Sequence, residues 1–166
     1  MSPKITLIAH NIRSTHNVGS IFRTAEGFGV EKIVLSGYTP YPKLKKDDRL
    51  PHIAEKLDRQ IHKTALGAEK IVPFEYHESL EEYLSSLSMP IVALEQHEKS
   101  VSLDKYTPPK EFALLLGEEV NGIEPAYLYK CTDIIEIPMS GQKESFNVSV
   151  ATGIALYGLT TGARAH

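Results

Sequence analysis

Three stretches of this 166-residue sequence hold residue types that could bind a ligand and move a proton. The first, residues 11–23, is a polar run entering a helix, with Asn17 six positions ahead of Arg23. The second is Leu116-Gly117-Glu118-Glu119-Val120-Asn121-Gly122, an acidic loop bounded by glycines after an apolar run. The third runs from Ile137-Pro138-Met139 through Ser145-Phe146-Asn147 to Ala151, a strand end, a polar turn and a helix start. An arginine suits phosphate binding and the stabilisation of a developing alkoxide. Carboxylates and amides orient loops and sugar hydroxyls, and glycines let the main chain approach a ligand. Each residue also has a plainer use. Asn17 could cap the first helix and Ser145 or Asn147 the last; Arg23, Glu118 and Glu119 could be solvated; Gly117 and Gly122 could serve turns.

These stretches need elements to hold them. Residues 5–9, 33–35, 71–72, 90–94, 112–116 and 134–137 read as six short strands. Val18, Ile21, Phe22, Ala25 and Phe28 recur at spacings of three and four, one face of a helix over residues 17–29. Ile53, Leu57 and Ile61 mark a second helix, and Leu80, Tyr83, Leu84 and Leu87 a third. A brief helix over 124–130 and a long one over 147–159 complete the chain; residues 38–50, with Pro40 and Pro42, form a loop. Apolar strands alternating with amphipathic helices predict an α/β fold, a mostly parallel sheet with helices on both faces. Ligands of such sheets bind beyond the carboxyl ends of the strands. That selects the loops at 9–17, 94–97, 117–122 and 137–147.

Composition narrows the function. Hydrophobic residues make up 42% and charged residues 23%, a globular balance that predicts one domain burying roughly two-thirds of its unfolded surface. No run is long enough to span a bilayer and the start lacks a signal-peptide layout, so a cytoplasmic protein is expected. A single cysteine, Cys131, excludes an internal disulfide and suits a buried small hydrophobe better than a nucleophile. His10, His16, His52, His62, His77, His97 and His166 show no metal-ligand spacing, so no metal is expected. The net charge of −3 does not itself suggest nucleic acid, but residues 43–63 carry seven bases against four acids. That segment is either a phosphate-binding face or a solvated helix of mixed charge. No G-x-G-x-x-G follows the first strand, which argues against a dinucleotide site or a flavodoxin-like nucleotide module.

Together, and in this order, the three stretches resemble the signature motifs of the SpoU (TrmH) family of RNA 2′-O-ribose methyltransferases, in the SPOUT superfamily. Asn17 and Arg23 match the first motif, and Gly117, Glu119 and Gly122 the second. Residues 137–151 match the third, with Phe146 where leucine is usual. The resemblance implies a parallel α/β domain with a C-terminal trefoil knot, S-adenosylmethionine as cofactor and RNA as partner. It implies a cofactor cradle at Leu94, Gly117, Ile137, Met139 and Phe146, with Arg23, Asn17, Glu119, Ser145 and Asn147 at the reacting centre. A guanidinium rarely gives up its proton, so Arg23 is read as a phosphate ligand and alkoxide stabiliser, with Glu119 orienting it or the loop around it. Arg13, Lys43, Lys45 and Lys46 are the expected RNA contacts.

Ala151, Gly153, Ala155 and Gly158 permit close approach along the last helix, which could be buried within one subunit; the resemblance implies a homodimer through it. A separate RNA-binding extension is not expected, and a compact transfer RNA is slightly favoured over ribosomal RNA. A catalytically silent RNA-binding homologue, acting in ribosome assembly, is the alternative. It is disfavoured because all five reacting-centre residues are present. A base-methylating relative is disfavoured by the arginine of the first motif.

Overall fold

Short apolar runs that have no polar face must be buried on both sides, and the chain meets that demand with a parallel sheet between two helical layers. The computed structural model describes residues 1–162; His166 lies outside them. The strands are β1 (Lys4–His10), β2 (Lys32–Ser36), β3 (Phe74–His77), β4 (Ile91–Leu94), β5 (Val101–Ser102), β6 (Glu111–Leu116) and β7 (Asp133–Glu136). They pair in the order β3-β2-β1-β6-β4-β7-β5, and every pairing is parallel. The helices are α1 (Thr15–Gly27), α2 (Pro51–Ala65), α3 (Leu80–Ser86), α4 (Pro125–Leu128) and α5 (Val148–Thr161).

Alternation along the central strands sorts the core into two faces. Leu7, Ala9, Leu114 and Leu116 point to the side covered by Phe22 of α1, Ile61 of α2 and Leu156 of α5. Ile8, Ala113 and Leu115 point to the other, covered by Leu80 and Leu84 of α3, with Tyr127 and Leu128 of α4 packed alongside. The expected α/β fold with helices on both faces is what the chain adopts. Among the described residues no helix is long and apolar enough to cross a membrane, and no group of side chains could hold a metal ion.

Two strand expectations need correction. Residues 71–72 are not a strand: a 3-10 turn over Ala68–Lys70 closes with the N–H of Val72 on the Ala68 carbonyl at 3.0 Å, leaving Ile71 exposed. The strand follows Pro73 as β3, where Glu75 and His77 interrupt the apolar pattern because this is the sheet's edge. β5, two residues long, gave no sequence signal. The first helix starts two residues earlier than expected and is capped by the Ser14 hydroxyl, which accepts from the N–H of Asn17 at 3.2 Å. Asn17 is thereby left to other partners. Asn147 does cap α5, its side-chain oxygen accepting from the N–H groups of Ser149 and Val150 at 2.9 and 3.4 Å.

α1 and α2 cross closely because Gly19 has no side chain. A Cβ there would run into the Thr64 hydroxyl and the main-chain carbonyl of Ile61, and the carbonyl belongs to a helix that cannot yield locally. Gly19→Ala should therefore lower stability by about 1–3 kcal/mol despite alanine's better helix propensity. Gly27→Ala, whose Cβ would meet nothing within 4 Å, should leave it unchanged or raise it slightly. Thermal unfolding followed by circular dichroism compares the two; equal midpoints would refute the close crossing.

Candidate active site

The loops after β1, β2, β4, β6 and β7 all emerge at the carboxyl edge of the sheet. Since β1 lies beside β6, with Ala9 opposite Leu116, the loops at 10–14 and 117–123 leave the sheet side by side. The second of these closes on itself: Glu118 and Gly122 exchange main-chain hydrogen bonds of 3.1 and 3.0 Å. Gly117 sits so close to this closure that a Cβ would lie 2.5 Å from the carbonyl carbon of Gly122. Gly122 itself adopts φ +69°, and a side chain there would strike the Glu95 carboxylate. Both glycines of the motif are thus required by geometry.

Glu119 ties this loop to the loop after β1. Its carboxylate accepts from the main-chain N–H of Arg13 at 3.2 Å, the N–H of Ser14 at 3.4 Å and the Asn17 amide at 3.0 Å. Asn17 in turn accepts from the Asn147 amide at 3.2 Å. Partial burial opposes the charged form of Glu119, but the Asn17 amide and the two N–H groups more than offset it, so the carboxyl titrates below its ordinary value. Glu119 therefore orients the loop around α1 and makes no contact with Arg23. Arg23 is exposed on α1 with no hydrogen bond or ion pair among the described residues.

A cleft of about 450 Å³ opens between these loops. Leu94, Gly117, Ile137 and Phe146 line it, as expected, together with Ser145 and Glu119. Met139 does not; it stands half-buried three residues beyond β7. Asn17, Arg23 and Asn147 stand outside the lining, at its rim or beyond. Five glutamates (Glu95, Glu118, Glu119, Glu136 and Glu144) contribute to the wall, and among the described residues no lysine, arginine or histidine does.

Sequence reasoning selected the loop at 94–97 but not Glu95 within it. That carboxylate accepts from the N–H of Ile123 at 2.8 Å and of Gln96 at 2.9 Å, joining the end of β4 to the loop after β6. An acid immediately after a buried strand at the ligand edge was the available signal. His10, at the end of β1, was also passed over: its ring meets the Ser36 hydroxyl at 2.9 Å and Tyr127 edge-on at 5.2 Å. Burial holds its pKa below the ordinary value, which keeps it neutral. Cys131 is half-buried, its thiol pushed up to about 11 by burial, so it is no nucleophile.

Of the expected RNA contacts, Arg13, Lys45 and Lys46 are exposed; neither lysine has a partner among the described residues. Lys43 differs: its ammonium lies 3.4 Å from Glu55, and its N–H donates to Asp58 at 2.8 Å.

The profile of one family covers nearly this whole arrangement, matching residues 4–157: the SpoU rRNA Methylase family. The chain belongs to this family. Among its relatives, the 23S rRNA (guanosine-2'-O-)-methyltransferase RlmB of Nitrosomonas europaea is 34% identical over 158 residues, 93% of this chain and 55% of that protein. The RlmB of Acinetobacter baylyi is 29% identical over 157 residues, 92% of this chain and 58% of that protein. The chain thus spans little more than half the length of these relatives. The SpoU methyltransferase AviRb from Streptomyces viridochromogenes, in complex with AdoMet, has the same fold, with a TM-score of 0.79 at 19% identity over 99% of this chain and 60% of that one. The A. aeolicus TrmH/SpoU tRNA modifying enzyme superposes with a TM-score of 0.78 at 25% identity, covering 98% of this chain and 78% of that chain.

The depressed pKa of Glu119 has a measurable sign. A carboxylate that titrates lower when folded contributes stability above its unfolded value, about 4.3, and loses it as pH falls through the folded value. The urea-unfolding difference between the wild type and Glu119→Gln should be present at pH 7 and shrink below about pH 4. A difference that stays constant across that range would mean that the carboxylate is not held by these three donors.

Proposed function

We propose that this chain transfers a methyl group from S-adenosylmethionine to a ribose 2′-hydroxyl of RNA, with ribosomal RNA as the substrate class. The observation that carries the proposal is the acidic cleft at the carboxyl edge, built on two glycines that cannot be replaced and lined, among the described residues, by five glutamates and no basic side chain. Such a wall favours a ligand bearing positive charge and repels phosphate. Its volume is in the range of small-molecule sites. When bound, S-adenosylmethionine supplies a methyl group on a sulfonium, whose departure needs no acid catalyst.

The residues divide the remaining work. Leu94, Gly117, Ile137 and Phe146 hold the cofactor, largely through main chain; Met139 stands outside the wall. Arg23, exposed and unpaired among the described residues, binds the phosphate beside the target and stabilises the charge that grows on the 2′-oxygen as the hydroxyl proton leaves to water. Glu119, through Asn17, fixes the start of α1 and so the base of Arg23. Asn147 and Ser145 position the loop that closes over the ribose. Arg13, Lys45 and Lys46 take further phosphates, and Lys43 can exchange its exposed pair with Glu55 for one at little cost.

The relatives matched at 29–34% identity are named for 23S rRNA, so ribosomal RNA replaces the transfer RNA slightly favoured on sequence grounds. A cytoplasmic location and action as one catalytic domain belong to the same reading. The trefoil knot belongs to the same proposal. It is supported by the strand order, in which β6 lies between β1 and β4, and β7 between β4 and β5.

A homodimer through α5 is supported by Val150, Ile154 and Tyr157, a stripe spaced four and three apart that stays exposed in the single chain. Light scattering at micromolar concentration should return the mass of two chains, and Ile154→Glu should return one. A wild-type protein with the mass of a single chain would exclude the dimer.

The activity itself is tested with labelled S-adenosylmethionine and separate pools of unmodified ribosomal and transfer RNA. Label should appear in a 2′-O-methylnucleoside of the ribosomal pool. Arg23→Ala should lower turnover about 10²-fold or more with cofactor affinity unchanged. Label on a base would overturn the chemistry. No label with the cofactor bound would favour the silent RNA-binding homologue.

A further inference from the structure

A second open groove, of about 630 Å³, lies on the other side of the loop at 11–15. Its wall is the opposite of the cleft's: Arg13, Tyr38, Tyr41, Arg49 and Tyr76 contribute, and no aspartate or glutamate does. The wall is rigidly built. Arg49 uses four of its five donors: Nε and Nη2 donate to Asp47 at 2.9 and 2.6 Å, and Nη1 and Nη2 reach the carbonyls of Tyr41 and Pro42 at 3.0 Å. That guanidinium covers the Tyr41 ring at 3.6 Å, and Tyr41 stacks on Tyr76 with centroids 4.1 Å apart. The Tyr76 hydroxyl donates to the carbonyl of Gly37 at 2.7 Å. The segment 38–50, which has no regular structure, is thereby fixed against the sheet.

Among the described residues, the ring and the cation of this groove that stand outside that stack are Tyr38 and Arg13, which lie against each other. Tyr38 is 49% exposed, and the Arg13 guanidinium stands 5.6 Å from its centroid with no hydrogen-bond acceptor among the described residues. Their juxtaposition is held by unusual backbone. Asn11 adopts φ +53° and Gly37 φ +65°, and the N–H of Tyr38 donates to the Asn11 side chain at 3.0 Å. The Thr39 hydroxyl, buried, accepts from the N–H of Ile12 and donates to the carbonyl of Ala9 at 3.0 and 3.1 Å. A non-glycine residue in the left-handed region is a local cost that the fold tolerates where it places a side chain. The two loops are stitched so that Tyr38 and Arg13 face each other beside the loop that Glu119 anchors to the cleft.

We propose that this groove seats an unstacked nucleotide of the RNA next to the one being methylated, with Tyr38 as the stacking face for its base and Arg13 as the contact for its phosphate. The assignment rests on the RNA reading above. It adds a subsite that reads single-stranded RNA by stacking, which tolerates any base, and by charge. Lys45 and Lys46, on the same segment, are exposed. The five glutamates across the loop keep phosphates out of the cofactor cleft, so the loop at 11–15 separates the two ligands.

The protein contains no tryptophan, which makes a direct test available. Tyr38→Trp places a single indole in the groove, and Ile71→Trp places one before the amino end of β3, at the opposite edge of the sheet. The probe is a short single-stranded RNA of mixed sequence, titrated at low salt. Tyr38→Trp should bind as tightly as the wild type with its emission quenched on RNA addition, and Ile71→Trp should show no quenching. By anisotropy of the labelled RNA, Tyr38→Ala should bind about ten-fold more weakly and Tyr38→Phe within two-fold of the wild type. With ribosomal RNA as substrate, Tyr38→Ala should raise KM more than it lowers kcat. If the wild type binds RNA and methylates it while Tyr38→Trp shows no quenching, the groove is not a nucleotide subsite and the methyltransferase reading stands. If the wild type neither binds nor methylates RNA, both fall.

Discussion

The Glu119 carboxylate is shared by three donors from one short stretch, the N–H groups of Arg13 and Ser14 and the side chain of Asn17. Asn17 passes the connection to Asn147, which caps α5. One anion and two amides thereby join three segments, the first of them more than 100 residues in sequence from the other two. The sheet makes this possible. With β1 paired to β6, the two loops start in register and need only short excursions to meet. Each bond to an ionised acceptor is worth about 1.5–3 kcal/mol, enough to order short loops that have no apolar core of their own. Without the network, the glycine loop after β6 would still close on itself, but nothing would hold it against the start of α1.

Glu95 has the same role at the neighbouring strand, β4. Its carboxylate fills the space that a side chain on Gly122 would need, and it takes the N–H of Ile123. The glycines and the acids are therefore two halves of a single device: the glycines make room, and the carboxylates accept from main-chain donors of the loops around them. The loop at 117–123 is held from both sides in this way, by Glu95 from β4 and by Glu119 towards β1. A rigid, acidic cleft follows from the bonding that builds it, before any ligand is considered.

The sequence showed what depends on burial and on spacing. The central strands were legible because they are apolar on both faces, and α1, α2 and α3 because their apolar stripes recur at helical spacing. β3 was not, since an edge strand can keep Glu75 and His77, and the apolar pair Ile71 and Val72 drew the assignment into a turn. At the site, Gly117, Glu119, Gly122, Asn17 and Asn147 were legible as motif positions, and the structure brings them together. Which of them capped which helix was not, because Ser14 and Asn17 are equally good caps until the position of Glu119 is known. Glu95, Thr39 and Asn11 stayed hidden for a shared reason. Each bonds main-chain groups of a loop far away in sequence, and that partner has no residue type to recognise.

The absence of a glycine-rich fingerprint after β1 now has a physical account. In nucleotide-binding α/β folds, the positive start of the first helix is left open for a phosphate. Here that place is taken by the protein itself. Ser14 satisfies the N–H of Asn17 in the first turn, and the Glu119 carboxylate sits on the N–H groups of Arg13 and Ser14 just before it. An internal anion at this position excludes a ligand phosphate by both charge and space. A ligand without phosphate has no use for the helix start, and the available cleft is the one displaced towards β4, β6 and β7. A cationic cofactor built on a nucleoside without a phosphate group is the kind of molecule that this exchange suits. The same exchange leaves Arg13 on the outer side of the loop at 11–15, lining the second groove beside Tyr38.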